Sequence, residues 1–263
     1  MRRRWWMAAA LAAALCGHPA SAQPVEVENA RTATYEAATD TWSLEGSPVR
    51  VRRGPLVVEV QTVWYRARQG TFEASGGLRV VWAGELEVRA ESARGSLQDQ
   101  QMELAGSVWA SYRAGQDLVQ LTAPKVAVDF GRRVVHAQGG VRGWWQEFVL
   151  MAEEVVWDGR TEQAVASGEP LVTWREASLR GAVLRAELRT QVLHASGGVD
   201  LQGPQARATA REAEVLWRDR VAVLREGVVA MRGTDQLRCE EVRYQWERGV
   251  LVAERRCRVV VHP

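Results

Sequence analysis

The sequence predicts an all-β protein: a creased antiparallel β-jellyroll of about sixteen strands, built from eight bent-hairpin repeats of about 30 residues. Three observations lead there. Glycine-centred blocks recur at near-equal intervals. Apolar and polar residues alternate within each interval. Turn signals fall shortly before the blocks. A chain of 263 residues with 46% hydrophobic and 25% charged residues also has the composition of a folded protein.

The blocks are anchored on Gly46, Gly76, Gly106, Gly139, Gly168, Gly197 and Gly227, at spacings of 30, 30, 33, 29, 29 and 30. An eighth copy carries Arg255 where the glycine falls elsewhere. Counted back from the anchor, apolar or small residues sit at −20, −18 and −16, then at −13, −11 and −9. Examples are Leu86, Val88, Ala90, Ala93, Gly95 and Leu97. A period of two means strands. The step of three from −16 to −13 would turn one half of the strand outward, so a bulge residue is expected there on the outgoing strand. Turns follow at Gln69-Gly70, Phe130-Gly131, Asp158-Gly159 and Arg248-Gly249, where glycine supplies a positive φ. The return strand has inward residues at −4 and −2, then at +2, +4 and +6, as in Phe72, Ala74, Leu78, Val80 and Trp82. Paired offsets are expected to sum to −13 near the turn and to −14 beyond the bulge. Both strands then bend level with the anchor, and the hairpins fold along one crease into two facing sheets. A parallel β-helix is the competing architecture, but its coils lack such regular hairpin turns.

The first 22 residues read as a secretory signal peptide. Arg2-Arg3-Arg4 form the basic region, Trp5 to Leu15 the short apolar run, and Ala20-Ser21-Ala22 the small-residue cleavage site. Leu15 before Cys16 fits a lipidated cysteine poorly. Residues 23–263 are expected to be a single repeat-built, exported, periplasmic domain. Once the three leader arginines are removed, the formal charge of +2 becomes −1. That excludes a strongly basic nucleic-acid binder.

Catalytic chemistry has no foothold. The mature histidines are His136, His194 and His262, and the first two share the outward position −3. They read as tolerated surface residues, with a metal pair across repeats as the alternative. No cluster has zinc spacing, and no nucleophile elbow or phosphate loop is present. Neither enzyme, metal nor cofactor is expected.

The exported leader followed by bent hairpins with an Ala-x-Gly-x-Val centre resembles the OstA-like family of periplasmic lipopolysaccharide-transport bridge proteins, the LptA-LptC family. The likeness runs over roughly Val25 to Val261. It implies a creased jellyroll whose apolar interior carries glycolipid acyl chains toward the outer membrane. It also implies end-to-end pairing of edge strands with similar proteins or with itself. The chain looks longer than a typical LptA and lacks the large β-barrel of LptD. The edges fall near Val25-Glu26-Val27 and Val259-Val260-Val261. The expected lipid groove comprises Val58, Val80, Trp82, Val88, Tyr112, Leu121, Leu150, Val172 and Trp174, with head groups meeting outer arginines. The large rings at +6, −9 and −11 are read first as core packing and otherwise as the mouth of the groove. Small inward residues near the crease (Ala90, Ala123, Ala152, Gly181) either leave room for a ligand or allow close sheet approach. The alternative function is a ligand-free structural or adhesive β-solenoid of the cell envelope.

The pairing rule also reaches the two mature cysteines. Cys239 lies at −16 and Cys257 at +2 of the eighth repeat. They are expected to face each other on adjacent strands, both inward, at a separation that admits a disulfide. Such a bond suits an oxidising compartment.

Overall fold

The computed structural model describes residues 26–114, 117–204 and 206–261. The leader, Val25 and His262 lie outside them. The described chain is all β, with nineteen strands and only antiparallel ladders, in a jellyroll-like arrangement. Contacts divide it into two compact units. The first runs to Gln146 and takes in Val156–Thr161; the second holds Glu147–Val155 and everything from Glu162 onward.

The first unit contains β1 (Glu26–Glu36), β2 (Thr41–Arg53), β3 (Leu56–Arg66), β4 (Thr71–Trp82), β5 (Leu86–Ser96), β6 (Gln101–Ala114), β7 (Asp117–Asp129) and β8 (Val134–Trp145). Each pairs with the next, so consecutive hairpins stack. The second unit contains most of β9 (Phe148–Asp158), then β10 (Gln163–Ser167), β11 (Leu171–Trp174), β12 (Ala177–Arg180), β13 (Val183–Glu187), β14 (Val192–Gln202), β15 (Arg207–Leu216), β16 (Val221–Arg232), β17 (Asp235–Gln245), β18 (Val250–Glu254) and β19 (Arg258–Val260). The strand number exceeds sixteen because three strands are interrupted at crease height, at 168–170, 181–182 and 255–257.

The register corrects the expected pairing at three points. First, the bulge lies on the return strand. From Thr62↔Ser75 to Glu59↔Arg79, β3 advances three residues while β4 advances four. The extra residue sits at Gly76-Gly77, with φ of 84° and 87°. Two consecutive left-handed residues recur at Gly106-Ser107, Gly139-Gly140, Gly168-Glu169, Gly197-Gly198, Glu226-Gly227 and Arg255-Arg256. The seventh anchor is therefore Glu226, one residue before the glycine that stands out in the sequence. The inward step of three on the outgoing strand is real, and its partner is a step of four.

Second, the pairs nearest the turn are displaced by two. Tyr65, not Ala67, faces Phe72. The reason is the turn, which takes four residues between paired Arg66 and Thr71. Third, the positive φ of that turn falls on its last residue: Asp40, Gly70, Gln100, Arg133, Glu162, Gln191, Arg220 and Gly249. Gly131 and Gly159 do not carry it. Beyond the crease the expected register holds, as in Val58↔Val80 and Leu86↔Tyr112.

Burial follows the inward rows on both sides of the crease. Ala74, Leu78, Val80, Leu86, Val88, Ala90 and Ala93 are all buried, whereas Arg79, Arg89 and Arg94 between them are exposed. Gly181 at the crease serves close packing. A Cβ on Gly181 would stand 3.2 Å from the carbonyl oxygen of Ser196.

Gly77 isolates the backbone requirement, because a Cβ there would meet nothing within 4 Å. Gly77→Ala should destabilise the protein by about 1–2 kcal/mol through the left-handed conformation alone. Ser107→Gly, at the matching position with φ of 48°, should stabilise it by about 0.5 kcal/mol. Denaturant titration of both variants measures the pair.

Candidate functional site

The residues expected to line a groove fall into two sets, one in each unit. In the first unit, Val58 faces Val80, Val80 faces Val88, Val88 faces Ala110, and Ala110 faces Leu121. That is one unbroken apolar row across five strands. Trp82 and Tyr112 occupy the adjacent row on the same face, each opposite Leu86. Val80, Val88 and Tyr112 are buried, while Val58, Trp82 and Leu121 are half-buried. Burial, aided by Glu85, pushes the Tyr112 phenol up, so it stays neutral.

A third row on this face is aromatic at its β1 end. It runs Tyr35, Trp42, Tyr65, Phe72, Gly95, Met102 and Val128. The Phe72 ring lies over Gly95, whose Cβ would meet it at 2.8 Å. Met102 and Val128 are buried, but Tyr35 and Trp42 are 47% and 45% exposed, their ring centroids 4.8 Å apart. The apolar face thus opens progressively toward β1. The groove assignment passed over Tyr35 and Trp42. Their offsets, −11 and −4, were the available signal.

In the second unit Leu150 faces Val172, and Trp174 lies two residues further along the same strand face, opposite Phe148. Val172 and Trp174 are buried and Leu150 is half-buried. Trp174, only 2% exposed, does not stand at an open rim. It belongs to a ring cluster: 6.2 Å from Phe148 and 5.7 Å from Trp246, with Phe148 5.4 Å from Trp217. Trp217 and Trp246 come from the turn ends of the last two hairpins, so those ends fold over the far end of β9 and β11. This interior is filled by aromatic packing. The shared offset of Trp217 and Trp246 emerges only once the seventh anchor is moved to Glu226.

The outer face of the first unit carries a row of charge. Arg50 bonds Glu59 at 2.6 Å, Glu59 meets Arg79 at 3.2 Å, and Arg79 meets Glu87 at 2.8 Å. Arg89 meets the same Glu87 at 2.8 Å and lies 5.2 Å above the Trp109 ring. Bonds from Arg50 and Arg79 hold Glu59 below the usual carboxylate range, and Arg79 and Arg89 do the same for Glu87. Lys125 and Arg94 depress Glu103 likewise. These arginines are therefore already matched with carboxylates. In the second unit, His194 approaches Glu187 at 4.0 Å beside an outward hollow of about 220 Å³ that Glu212, Glu214 and Arg225 help to line. No group of three potential metal ligands exists among the described residues.

The β17–β19 ladder, Gln236↔Val260, Leu237↔Val259 and Arg238↔Arg258, ends one step short of Cys239 and Cys257. The expected bond is not formed; both are free thiols. Cys239 is buried, but Cys257 is exposed rather than inward, because the chain breaks from the sheet at 255–257. Its Sγ donates to the Arg255 carbonyl at 3.7 Å. Burial pushes the Cys239 thiol up to about 11, and the adjacent Cys257 thiol adds to the shift.

No family model matches the chain, and none of the curated proteins does. Among solved structures it is similar to that of LptH, the LptA homologous periplasmic component of the conserved lipopolysaccharide transport device from Pseudomonas aeruginosa. The TM-score is 0.42 and the identity 17%, over 45% of this chain and 96% of that one.

The outer charge row makes the fold sensitive to acid. Glu59, Glu87 and Glu103 have folded pKa values below their unfolded ones. Their stabilising contribution is complete above an unfolded value of about 4.3 and disappears as pH falls through the depressed folded values. Melting temperature should therefore drop steeply below about pH 4. Glu59→Gln should flatten that drop, and 1 M salt should weaken it.

Proposed function

We propose that this protein is a passive lipid carrier of the cell envelope that binds the acyl chains of a glycolipid, such as lipopolysaccharide, along its inner apolar face. The observation that carries this reading is the unbroken row Val58–Val80–Val88–Ala110–Leu121, flanked by Trp82 and Tyr112 and opening toward Tyr35 and Trp42. An acyl chain that reaches this face gains about 0.8 kcal/mol per methylene it buries. The neighbouring outward residues are ion-paired, so the two faces differ sharply in what they attract. The signal peptide and the resemblance to OstA-like proteins support a periplasmic site of action.

The same reading includes end-to-end association. Among the described residues the ladders of β1 run to β2, and those of β18 and β19 run to β17. The far sides are edges that can accept another strand. Val259 and Val261 at one end, and Tyr35 and Trp42 at the other, supply exposed apolar surface. A similar jellyroll or a second copy is the partner proposed. A ligand-free structural role is the second reading, and the ring cluster that fills the second unit favours it.

A photo-crosslinking residue at Val88 or Leu121 should capture lipid in cells several-fold more than one at exposed Arg89. Equal capture at the three sites, together with lipid-free protein by native mass spectrometry, would replace the carrier by the structural reading.

Val260→Pro removes a backbone donor from β19 and should weaken end-to-end association without moving the melting temperature by more than a few degrees. Analytical ultracentrifugation reads the association.

A further inference from the structure

We infer that Cys239 and Cys257 form a reversible oxidation site that fastens the last strand, β19, to β17. The inference rests on the register and the exposure of the two residues, independently of what the inner face binds.

The last hairpin is the least secured. Its return strand breaks at Arg255-Arg256-Cys257, where two arginines hold left-handed conformations of φ 68° and 49°, whereas each of the other such pairs contains at least one glycine. Beyond the break, β19 is held by the pairs of Arg258, Val259 and Val260, all three exposed. The step that would continue this ladder across the break is the cysteine pair. Opposed residues on antiparallel strands lie about 4.5–5.5 Å apart at Cα, within the span of a disulfide. Cys257 is open to solvent while Cys239 is covered. That asymmetry sets the order of events.

The co-reactant is a small or protein disulfide, such as oxidised glutathione or an oxidised dithiol oxidoreductase. The Cys257 thiolate, its proton lost to solvent, attacks one sulfur of that disulfide. A mixed disulfide forms, and the first leaving thiolate takes up a proton. Cys239 then gives up its proton and its thiolate attacks Sγ of Cys257. The Sγ–Sγ bond forms, and the second leaving group departs as a thiolate that is protonated in turn. Both cysteines are oxidised, and the reagent disulfide is reduced to two thiols. The covered Cys239 thiol, high in pKa, makes the second step the slow one. Once formed, the bond bridges the break at 255–257 and holds β19 in its register on β17.

The test uses the full chain with Cys16→Ser, treated with oxidised glutathione and compared with the reduced form. Peptide mapping should find an internal Cys239–Cys257 link with the loss of two hydrogens. Amide exchange at 258–260 should slow by about tenfold or more. With Cys239→Ala, oxidation should stop at glutathione on Cys257, with exchange at 258–260 unchanged. Two results would overturn the inference: a stable glutathione adduct or an intermolecular dimer at Cys257 in the chain that keeps Cys239, or an internal link that leaves exchange at 258–260 as it was.

Discussion

Every hairpin bends where its return strand takes one residue more than its outgoing strand. Side chains in a strand alternate with period two, so a step of three against two would send one half of each hairpin outward. A step of three against four keeps both halves facing inward and kinks the pair at that height. The extra residue is accommodated by two consecutive left-handed residues, seen from Gly76-Gly77 to Arg255-Arg256. Where glycine provides them the cost is low; where Ser107, Glu169, Glu226, Arg255 and Arg256 do so, the fold holds them there against their preference.

The separation of faces follows from that register. Rows such as Val58–Val80–Val88 gather on one side, and rows such as Arg50–Glu59–Arg79 gather on the other. Cross-strand neighbours are the unit of sheet stabilisation. The apolar rows supply burial. The charged rows supply matched pairs that fix alignment and keep the outer face solvated. The depressed carboxylates of Glu59 and Glu87 are the electrostatic mark of that matching.

The inner faces of the two units are used differently. In the first, burial declines toward β1, from Met102 and Val128 to the exposed pair Tyr35 and Trp42. In the second, Phe148, Trp174, Trp217 and Trp246 close the interior. A carrier reading therefore draws on the first unit, while the second contributes packing and a short last strand, β19, held on β17.

The sequence by itself determined the strand class, the eightfold hairpin period, the height of the crease and the inward rows beyond it. All of these follow from local periodicity and from a pairing rule repeated along the chain. Near the turns that rule failed by two residues. The length of a turn depends on which residue takes the left-handed conformation, and Gly131 and Gly159 lie two and three residues before that position. The strand that takes the extra residue is already recorded in the sequence: the inward offsets step by four, from −2 to +2, on the return strand and by three, from −16 to −13, on the outgoing one. Only the tertiary structure placed the Trp174 ring in a filled cluster. Its neighbours Trp217 and Trp246 lie two and three hairpins away, and no local pattern records which turn ends fold over which strands. The exposure of Cys257 was decided in the same way, by a strand that leaves the sheet at 255–257, where arginine stands in place of the anchor glycine.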